Sequence, residues 1–408
     1  MNKTLYGLDK KGDMKVWTIQ VEQVMCDNDE AIITITHGKL GGKMTVKPES
    51  ITEGKQGRNC FEQAVLEAKA RIKKQEDKNY RENTADLANL DILAMLAADY
   101  RKRGKSIVYP CYGSVKYDGV RALAKKRNGV VTIESRTSQI YDIPHIHKAL
   151  VIHMQDGDIW DGEIYLHGEV LQDITSAVGR TDTQAKIDAA QRKIDKILKE
   201  ADHLAEDMTT EQAEAFQERL DNARSEREEA TLIHEIRPKL EFHIFDVVSD
   251  EIFKDRLDRL DELAGIPVVS PCIQVTQYVW VADAEDMKFK HDVAVDRGYE
   301  GLMLRNFKGL YESGKRSTDL QKYKEFVDAE FEILDVIPDK EDGSRFVVRN
   351  NLNDRTFTVT LGSMAQRAEY LANKHLYIGK MITVRYQSRY KKTKLPQFPT
   401  GVVIRDYE

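Results

Sequence analysis

An acidic stretch with helical periodicity, residues 181–235, constrains the fold of this chain more than any other feature. Ile187, Ala190, Ile194, Ile197, Ala201 and Leu204 recur at helical spacing, and Ala213, Phe216, Leu220, Ala223 and Ala230 do so again. Met208-Thr209-Thr210 separates the two runs. Thr181 with Gln184, and Thr209 with Gln212, each fit a capping box at a helix start. The pattern predicts an antiparallel helical hairpin inserted into a domain. With 8 basic and 15 acidic side chains and little aromatic content, it reads as a solvated arm. It is either an inert protrusion or a surface for protein or DNA contact.

The flanking sequence has a different texture. Residues 106–180 alternate short strands with turns, and residues 238–325 resume that pattern. The implied class is α+β and multidomain, and 408 residues suit two or three domains of ~150. Residues 1–77 read as a small α+β module. Val16–Val21 and Ala31–Thr36 are β-rich, Gly38, Gly41 and Gly42 mark a turn, and a helix is expected from Cys60 to Gln75. Residues 78–105 read as a linker around a short apolar helix, Leu87–Leu96, that leads into a domain at 106–325. Residues 326–408 hold strands at Phe331–Val336, Phe346–Arg349, Thr356–Thr360 and Met381–Tyr386, with turns at Glu341–Ser344 and Asn350–Asp354. That spacing predicts a small barrel.

Composition excludes several classes. Hydrophobic residues at 41% and charged residues at 32% suit large cores rather than disorder. No run approaches the ~18 apolar residues of a membrane span, and Met1–Leu5 lacks the apolar core of a secretory signal. Cys26, Cys60, Cys111 and Cys272 are scattered, which fits a reduced, intracellular, soluble protein. His145 and His147 are spaced as a metal pair but lack a third ligand, and read as solvent-facing turn residues. The net charge of -6 conceals asymmetry: the hairpin carries 8 − 15 = −7, leaving +1 elsewhere. Residues 99–150 hold 11 basic and 4 acidic side chains, and residues 379–408 hold 7 and 2. Two basic segments keep a nucleic-acid partner open.

Four strings carry chemistry. Ser114-Val115-Lys116-Tyr117-Asp118-Gly119-Val120-Arg121 sets a lysine between a β-like run and a glycine turn, where its amine can act as a nucleophile. Taken alone it is an ordinary hairpin turn. Trp160-Asp161-Gly162-Glu163 and Tyr299-Glu300-Gly301 each place a carboxylate beside glycine at a strand edge. Converging, Glu163 and Glu300 could hold Mg²⁺; singly they are solvated acids. In Leu320-Gln321-Lys322-Tyr323-Lys324, strand alternation sends both lysines to one face, which suits a polyphosphate.

Together these segments resemble the covalent nucleotidyltransferase superfamily, specifically the ATP-dependent DNA ligases. Lys116-Tyr117-Asp118-Gly119-Val120-Arg121 is similar to motif I, Ser135-Arg136 to the short motif after it, and Asp161-Gly162-Glu163 to motif III. Phe242-His243-Ile244-Phe245-Asp246 resembles motif IIIa, Glu300-Gly301-Leu302-Met303-Leu304-Arg305 motif IV, and Lys322-Tyr323-Lys324-Glu325-Phe326 motif V. The resemblance covers residues 106–408 and implies a nucleotidyltransferase domain at 106–325 and an OB-fold barrel at 326–408. It implies Lys116 as the nucleophile that becomes AMP-lysine. Asp118, Gly119, Arg121, Arg136, Glu163, Phe245, Lys322 and Lys324 would bind nucleotide, with Phe245 stacking on adenine and Arg121 or Arg136 meeting ribose or a nick phosphate. Glu163 and Glu300 would hold Mg²⁺, for which Mn²⁺ substitutes. Leu395–Pro399 and Ile404-Arg405-Asp406 resemble the end of the OB domain, with Arg405 contacting the leaving pyrophosphate.

Residues 1–77 resemble a WGR domain through Thr36-His37-Gly38-Lys39-Leu40-Gly41-Gly42-Lys43, although His37 and Lys39 replace its tryptophan and arginine. The implied activity is sealing of 5′-phosphate/3′-hydroxyl nicks in duplex DNA by a cytoplasmic monomer, in a bacterial or virus-infected cell, without membrane contact. Arg101, Lys102, Arg103 and Lys105, with Lys391, Lys392 and Lys394, would meet backbone phosphate. An RNA ligase or capping-type guanylyltransferase shares the lysine chemistry, and a non-catalytic DNA-binding clamp would share only the fold.

Overall fold

The computed structural model describes residues 1–9, 12–25, 29–204, 209–265, 270–339, 343–390 and 393–405. The expected positions Cys26, Met208, Glu341, Asp342, Lys391, Lys392 and Asp406 lie outside them. The chain divides into two units, Met1–Lys322 and Tyr323–Glu408.

The first unit begins with strands β1 (Asn2–Leu8), β2 (Met14–Met25), β3 (Asp29–Lys39) and β4 (Met44–Ile51), paired in sequence order as an antiparallel sheet. Helix α1 (Cys60–Glu76) starts at an Asn59/Glu62 capping box. Its Ala64, Ala68 and Ile72 bury against Leu5, Trp17, Ile19 and Ile33 of the sheet. On β2 and β3, Trp17 pairs with His37 and Lys15 with Lys39. Lys39 is committed to a surface ion pair with Asp13, Nζ to Oδ2 2.6 Å.

The helix expected at Leu87–Leu96 does not form. The chain makes a 3-10 turn at Thr84–Asn89, then strand β5 (Leu96–Asp99) and the short helix α2 (Tyr100–Arg103). Tertiary partners decide this outcome. The amides of Leu93, Met95 and Leu96 donate to Ser313 Oγ (2.9 Å), the Tyr311 hydroxyl (3.1 Å) and Lys315 O (2.8 Å). Backbone donors that a helix would pair internally are satisfied by a distant segment instead.

The rest of the unit supplies β6 (Cys111–Lys116), β7 (Val120–Arg127), β8 (Val130–Ser135), α3 (Pro144–His153), β9 (Ile159–Tyr165) and α4 (Leu171–Gly179). Then come α5 (Thr183–Leu204), α6 (Thr210–Ile236), β10 (Glu241–Val247), α7 (Phe253–Gly265), β11 (Ile273–Val275) and β12 (Val279–Val281). Helix α8 (Ala284–Asp296), β13 (Gly301–Arg305) and β14 (Arg316–Tyr323) complete it. One five-stranded sheet has the order β11-β10-β9-β7-β8 and the other β12-β6-β13-β14-β5. The β10–β11 and β5–β14 pairs are parallel. Ile133, Leu150, Trp160, Ile164, Phe242 and Ile244 belong to the main core. His145 and His147 sit on α3 rather than in a turn, bonded to the carbonyl oxygens of Leu240 (2.8 Å) and Val131 (3.0 Å). Cys60, Cys111 and Cys272 are buried free thiols.

Helices α5 and α6 form the hairpin. Ile194, Ile197, Leu220 and Ala223 close its interior, with Phe216 packed against them. Helix α6 starts at the Thr209/Gln212 capping box, whereas α5 starts at Thr183 and not at a Thr181 cap. Thr183 Oγ1 meets His234 Nδ1 at 2.9 Å across the root of the arm, and Ile233 and Ile236 join the main core.

The second unit contains β15 (Val327–Pro338), β16 (Ser344–Arg349), β17 (Thr356–Val359), α9 (Met364–Ala372), β18 (Met381–Tyr386) and β19 (Thr400–Arg405). The sheet order is β17-β16-β15-β18-β19, with Phe331, Ile333, Phe346, Val348 and Ile382 in its core. Among the described residues the expected barrel is not closed: β17 and β19 are edges. A single backbone bond, Gly401 N–H to Thr360 O at 2.9 Å, links the two ends.

Candidate active site

A cavity of about 250 Å³ in the first unit draws side chains from both five-stranded sheets. Strand register places its nucleophile. Lys116 ends β6, and antiparallel pairing sets Gly301 of β13 opposite it. The Glu300 amide donates to Lys116 O at 2.9 Å. The same register brings their side chains into an ion pair, with Lys116 20% and Glu300 8% exposed. Residues 184 positions apart in sequence thus meet through one strand pair.

On the neighbouring sheet, Glu163 of β9 faces Arg121 of β7 on one side and His243 of β10 on the other. Burial pushes the Glu163 carboxyl up to about 7, with Asp161 and Glu300 adding to the rise and Arg121 and Lys116 opposing it. Gly119 creates room for this carboxylate: a Cβ there would lie 2.5 Å from Ile164 O and 2.8 Å from Glu163 Cγ. Asp118 is half-buried in the same turn but is not part of the cavity wall.

Arg121 has a partner that sequence analysis did not assign. Its Nε and Nη2 donate to the two oxygens of fully buried Asp161 at 2.6 and 2.5 Å. Tyr311 also donates to Asp161, at 2.6 Å. The guanidinium carbon lies 4.4 Å from the centroid of the Phe245 ring. Arg121 therefore braces the aromatic wall. The sequence signal for Asp161 was its position two residues from Glu163, on the same strand face.

Phe245 sits at a β-bulge. Ile244 pairs with Gly162 and Asp246 with Asp161, which leaves Phe245 without a partner on β9. Asp246 beside it is fully buried and binds Arg256 (Nε to Oδ1, 2.8 Å) and Arg305 (Nη1 to Oδ2, 2.5 Å). This triad ties β10, α7 and β13 together. In the sequence Asp246 and Arg305 appear only as parts of motif strings, and Arg256 in none.

Arg136 is exposed in the turn after β8, and it lines the cavity, as does Lys322 of β14. Lys324 falls one residue beyond the end of β14, so strand alternation does not align it with Lys322. It belongs to the second unit, where its Nζ donates to Gln387 Oε1 at 2.5 Å. Arg405 of β19 is also in the second unit, and its Nε donates to Thr383 Oγ1 (2.9 Å) and Glu330 Oε1 (3.1 Å). The cavity wall is thus cationic at Lys116, Arg121, Arg136 and Lys322 and anionic at Glu163. Glu300 meets Lys116 beside it.

A family model described as "ATP dependent DNA ligase domain" matches residues 92–324, more than half of the chain. The chain belongs to the ATP-dependent DNA ligase domain family. The DNA ligase of Enterobacteria phage T4 is 24% identical over 316 residues, covering 71% of this chain and 62% of the relative. A DNA ligase of African swine fever virus is 26% identical over 311 residues, with the same coverages. This chain therefore spans about 62% of the length of these relatives. A solved Lig E DNA ligase superposes with TM-score 0.55 at 20% identity, covering 78% of this chain and all of that one. The structure described as "Pmar-Lig_Pre." gives 0.59 at 18%, covering 78% and 68%. Both support a shared fold. Among the described residues, no helix is long and apolar enough to cross a membrane.

Proposed function

We propose that the chain is an ATP-dependent DNA ligase that seals 5′-phosphate/3′-hydroxyl nicks through lysyl-AMP and adenylated DNA. The carrying observation is the register of β6 and β13, which seats Lys116 against Glu300 at a cavity walled by Glu163 and Phe245. The relatives' names, DNA ligase, agree with this reading.

In the first step the Lys116 amine, having lost its proton, attacks the α-phosphate of ATP. A P–N bond forms and the P–O bond to pyrophosphate breaks. In the second, an oxygen of the nick 5′-phosphate takes the AMP, the P–N bond breaks and Lys116 regains a proton. In the third, the 3′-hydroxyl attacks that 5′-phosphate and AMP leaves. Every step develops charge on phosphate, so the protein acts mainly by alignment and neutralisation. Lys116, Arg136 and Lys322 supply positive charge, Phe245 stacks on adenine, and Arg121, itself fixed by Asp161, packs against the Phe245 ring. Lys324 and Arg405 of the second unit serve as the further phosphate contacts, with Asp118 and Gly119 shaping the turn after Lys116.

The residues that fit a Mg²⁺ or Mn²⁺ ion are Glu163 and Glu300. Both offer hard oxygen donors, and a cation beside Glu163 would favour the ionised carboxylate that burial disfavours. The ion would supply charge neutralisation at phosphate.

The remaining assignments follow the same reading: residues 1–77 a WGR-like module, 78–105 a linker, 106–325 the nucleotidyltransferase domain and 326–408 an OB domain. Exposed Arg101, Lys102, Arg103 and Lys105 suit backbone phosphate of duplex DNA. The enzyme acts as a cytoplasmic monomer, and hairpin 181–235 is a surface available to DNA or protein.

The test is α-labelled ATP with Mg²⁺ on a denaturing gel, after pyrophosphate treatment to strip bound AMP. Wild type should label, and Lys116→Ala should lose all label. Nicked duplexes with DNA or RNA on the 3′-hydroxyl side, and GTP beside ATP, then separate a DNA ligase from an RNA ligase or a guanylyltransferase. Labelling that survives Lys116→Ala would overturn the mechanism.

A further inference from the structure

The bulge that presents Phe245 poses a structural problem. A bulged residue lies outside the regular ladder, so something else must fix its backbone. Here the hydroxyl of Tyr278 donates to Phe245 O at 2.8 Å. Tyr278 precedes β12, and its ring packs edge-on against Phe253, centroids 5.1 Å apart, and Tyr112, 6.5 Å apart. Phe253 in turn lies under the Arg305 guanidinium, 4.5 Å from carbon to centroid. The Tyr278 ring is therefore held independently of its hydroxyl.

The cavity has direction along β6. Lys116 lies opposite Gly301 and Ser114 opposite Met303. Two residues of antiparallel strand advance ~6.8 Å. Ser114, Met303, Phe245 and Tyr278 line the cavity together with Lys116. Ser114 also interacts with the Tyr278 hydroxyl. Tyr278 thus marks the end away from the nucleophile, where a base would lie while its α-phosphate rests at Lys116.

We propose that Tyr278 is a positioning residue for nucleotide binding, clamping the Phe245 bulge through its hydroxyl so that the ring meets the base at a fixed angle. This rests on the nucleotide-transfer reading above. Tyr278 acts through Phe245 and touches no reacting atom. Removing the hydroxyl leaves the Phe245 carbonyl without its partner and lets the bulge relax. The cost falls on capture of the nucleotide and spares attack by Lys116.

The experiment measures initial rates of lysine labelling against ATP concentration in the full chain. It compares wild type, Tyr278→Phe, Phe245→Ala and the double variant. Tyr278→Phe keeps the ring contacts and deletes one oxygen. The ATP concentration for half-maximal labelling should rise about fivefold, the size of one net hydrogen bond. The maximal rate should stay within about twofold, and in the Phe245→Ala background Tyr278→Phe should add almost nothing. An unchanged half-saturating concentration, a loss confined to the maximal rate, or a full penalty in the Phe245→Ala background would overturn the assignment. A wild type that never labels would defeat the nucleotide-transfer reading itself and this clamp with it. That outcome is separate from the variant ratios.

Discussion

The hairpin and the cavity are built by opposite means. Helices α5 and α6 take their interior from residues one or two turns apart, and the arm folds back on itself through a small apolar cluster. Its charges stay at the surface: Lys193 pairs with Glu226 and Arg219 with Glu200, each at 2.8 Å and largely exposed. The cavity instead joins residues from seven strands and is backed by buried ion pairs. Asp161 and Asp246 are fully buried and Arg256 and Arg305 nearly so. Local periodicity suffices for a solvated arm, whereas a chemical site needs non-local register and charges held out of water. Those charges make it far less tolerant of change.

The contrast can be sharpened by substitution. Asp246→Ala should have the largest effect, because it leaves two buried guanidinium groups without their carboxylate. A loss of about 3–5 kcal/mol is expected in urea unfolding, together with loss of labelling. Gly119→Ala comes next. Its methyl group would meet a backbone oxygen at 2.5 Å and displace Glu163. Overpacking of this kind costs about 1–3 kcal/mol, and lysine labelling should fall at least tenfold on the order-of-magnitude scale of a displaced catalytic group. Leu220→Ala, in the hairpin interior, should cost about 2–3 kcal/mol locally. Hydrogen exchange along α5 and α6 should accelerate while labelling stays at the wild-type rate; loss of labelling would break the separation between arm and site. Lys193→Ala should leave the melting temperature unchanged, since an exposed pair contributes little.

Much of this was legible beforehand where the signal was local. The 3.6-residue period pointed to the two hairpin helices and α1, and β-rich runs pointed to β2, β3 and β18. Motif strings named Lys116, Glu163, Glu300 and Phe245, which the structure gathers around one cavity. The errors share a cause. Leu87–Leu96 has helical composition, yet its amides bond to residues 311–315, and no window of sequence contains that competition. Lys322 and Lys324 looked aligned because the strand was read one residue too long. The bond from Arg121 Nε and Nη2 to Asp161, 40 residues away, was equally beyond a local reading.

The sequence by itself determined the residue types that can do phosphoryl chemistry, their order, and the inserted arm, since these depend on side-chain identity and short-range period. Only the tertiary structure decided which carboxylate meets the lysine, which aspartate holds Arg121, and that Phe245 stands on a bulge beneath a tyrosine hydroxyl. Those outcomes depend on register between strands far apart in the chain. A shift of one residue would reverse every side chain on the face, and buried charge makes a single register far more stable than its neighbours.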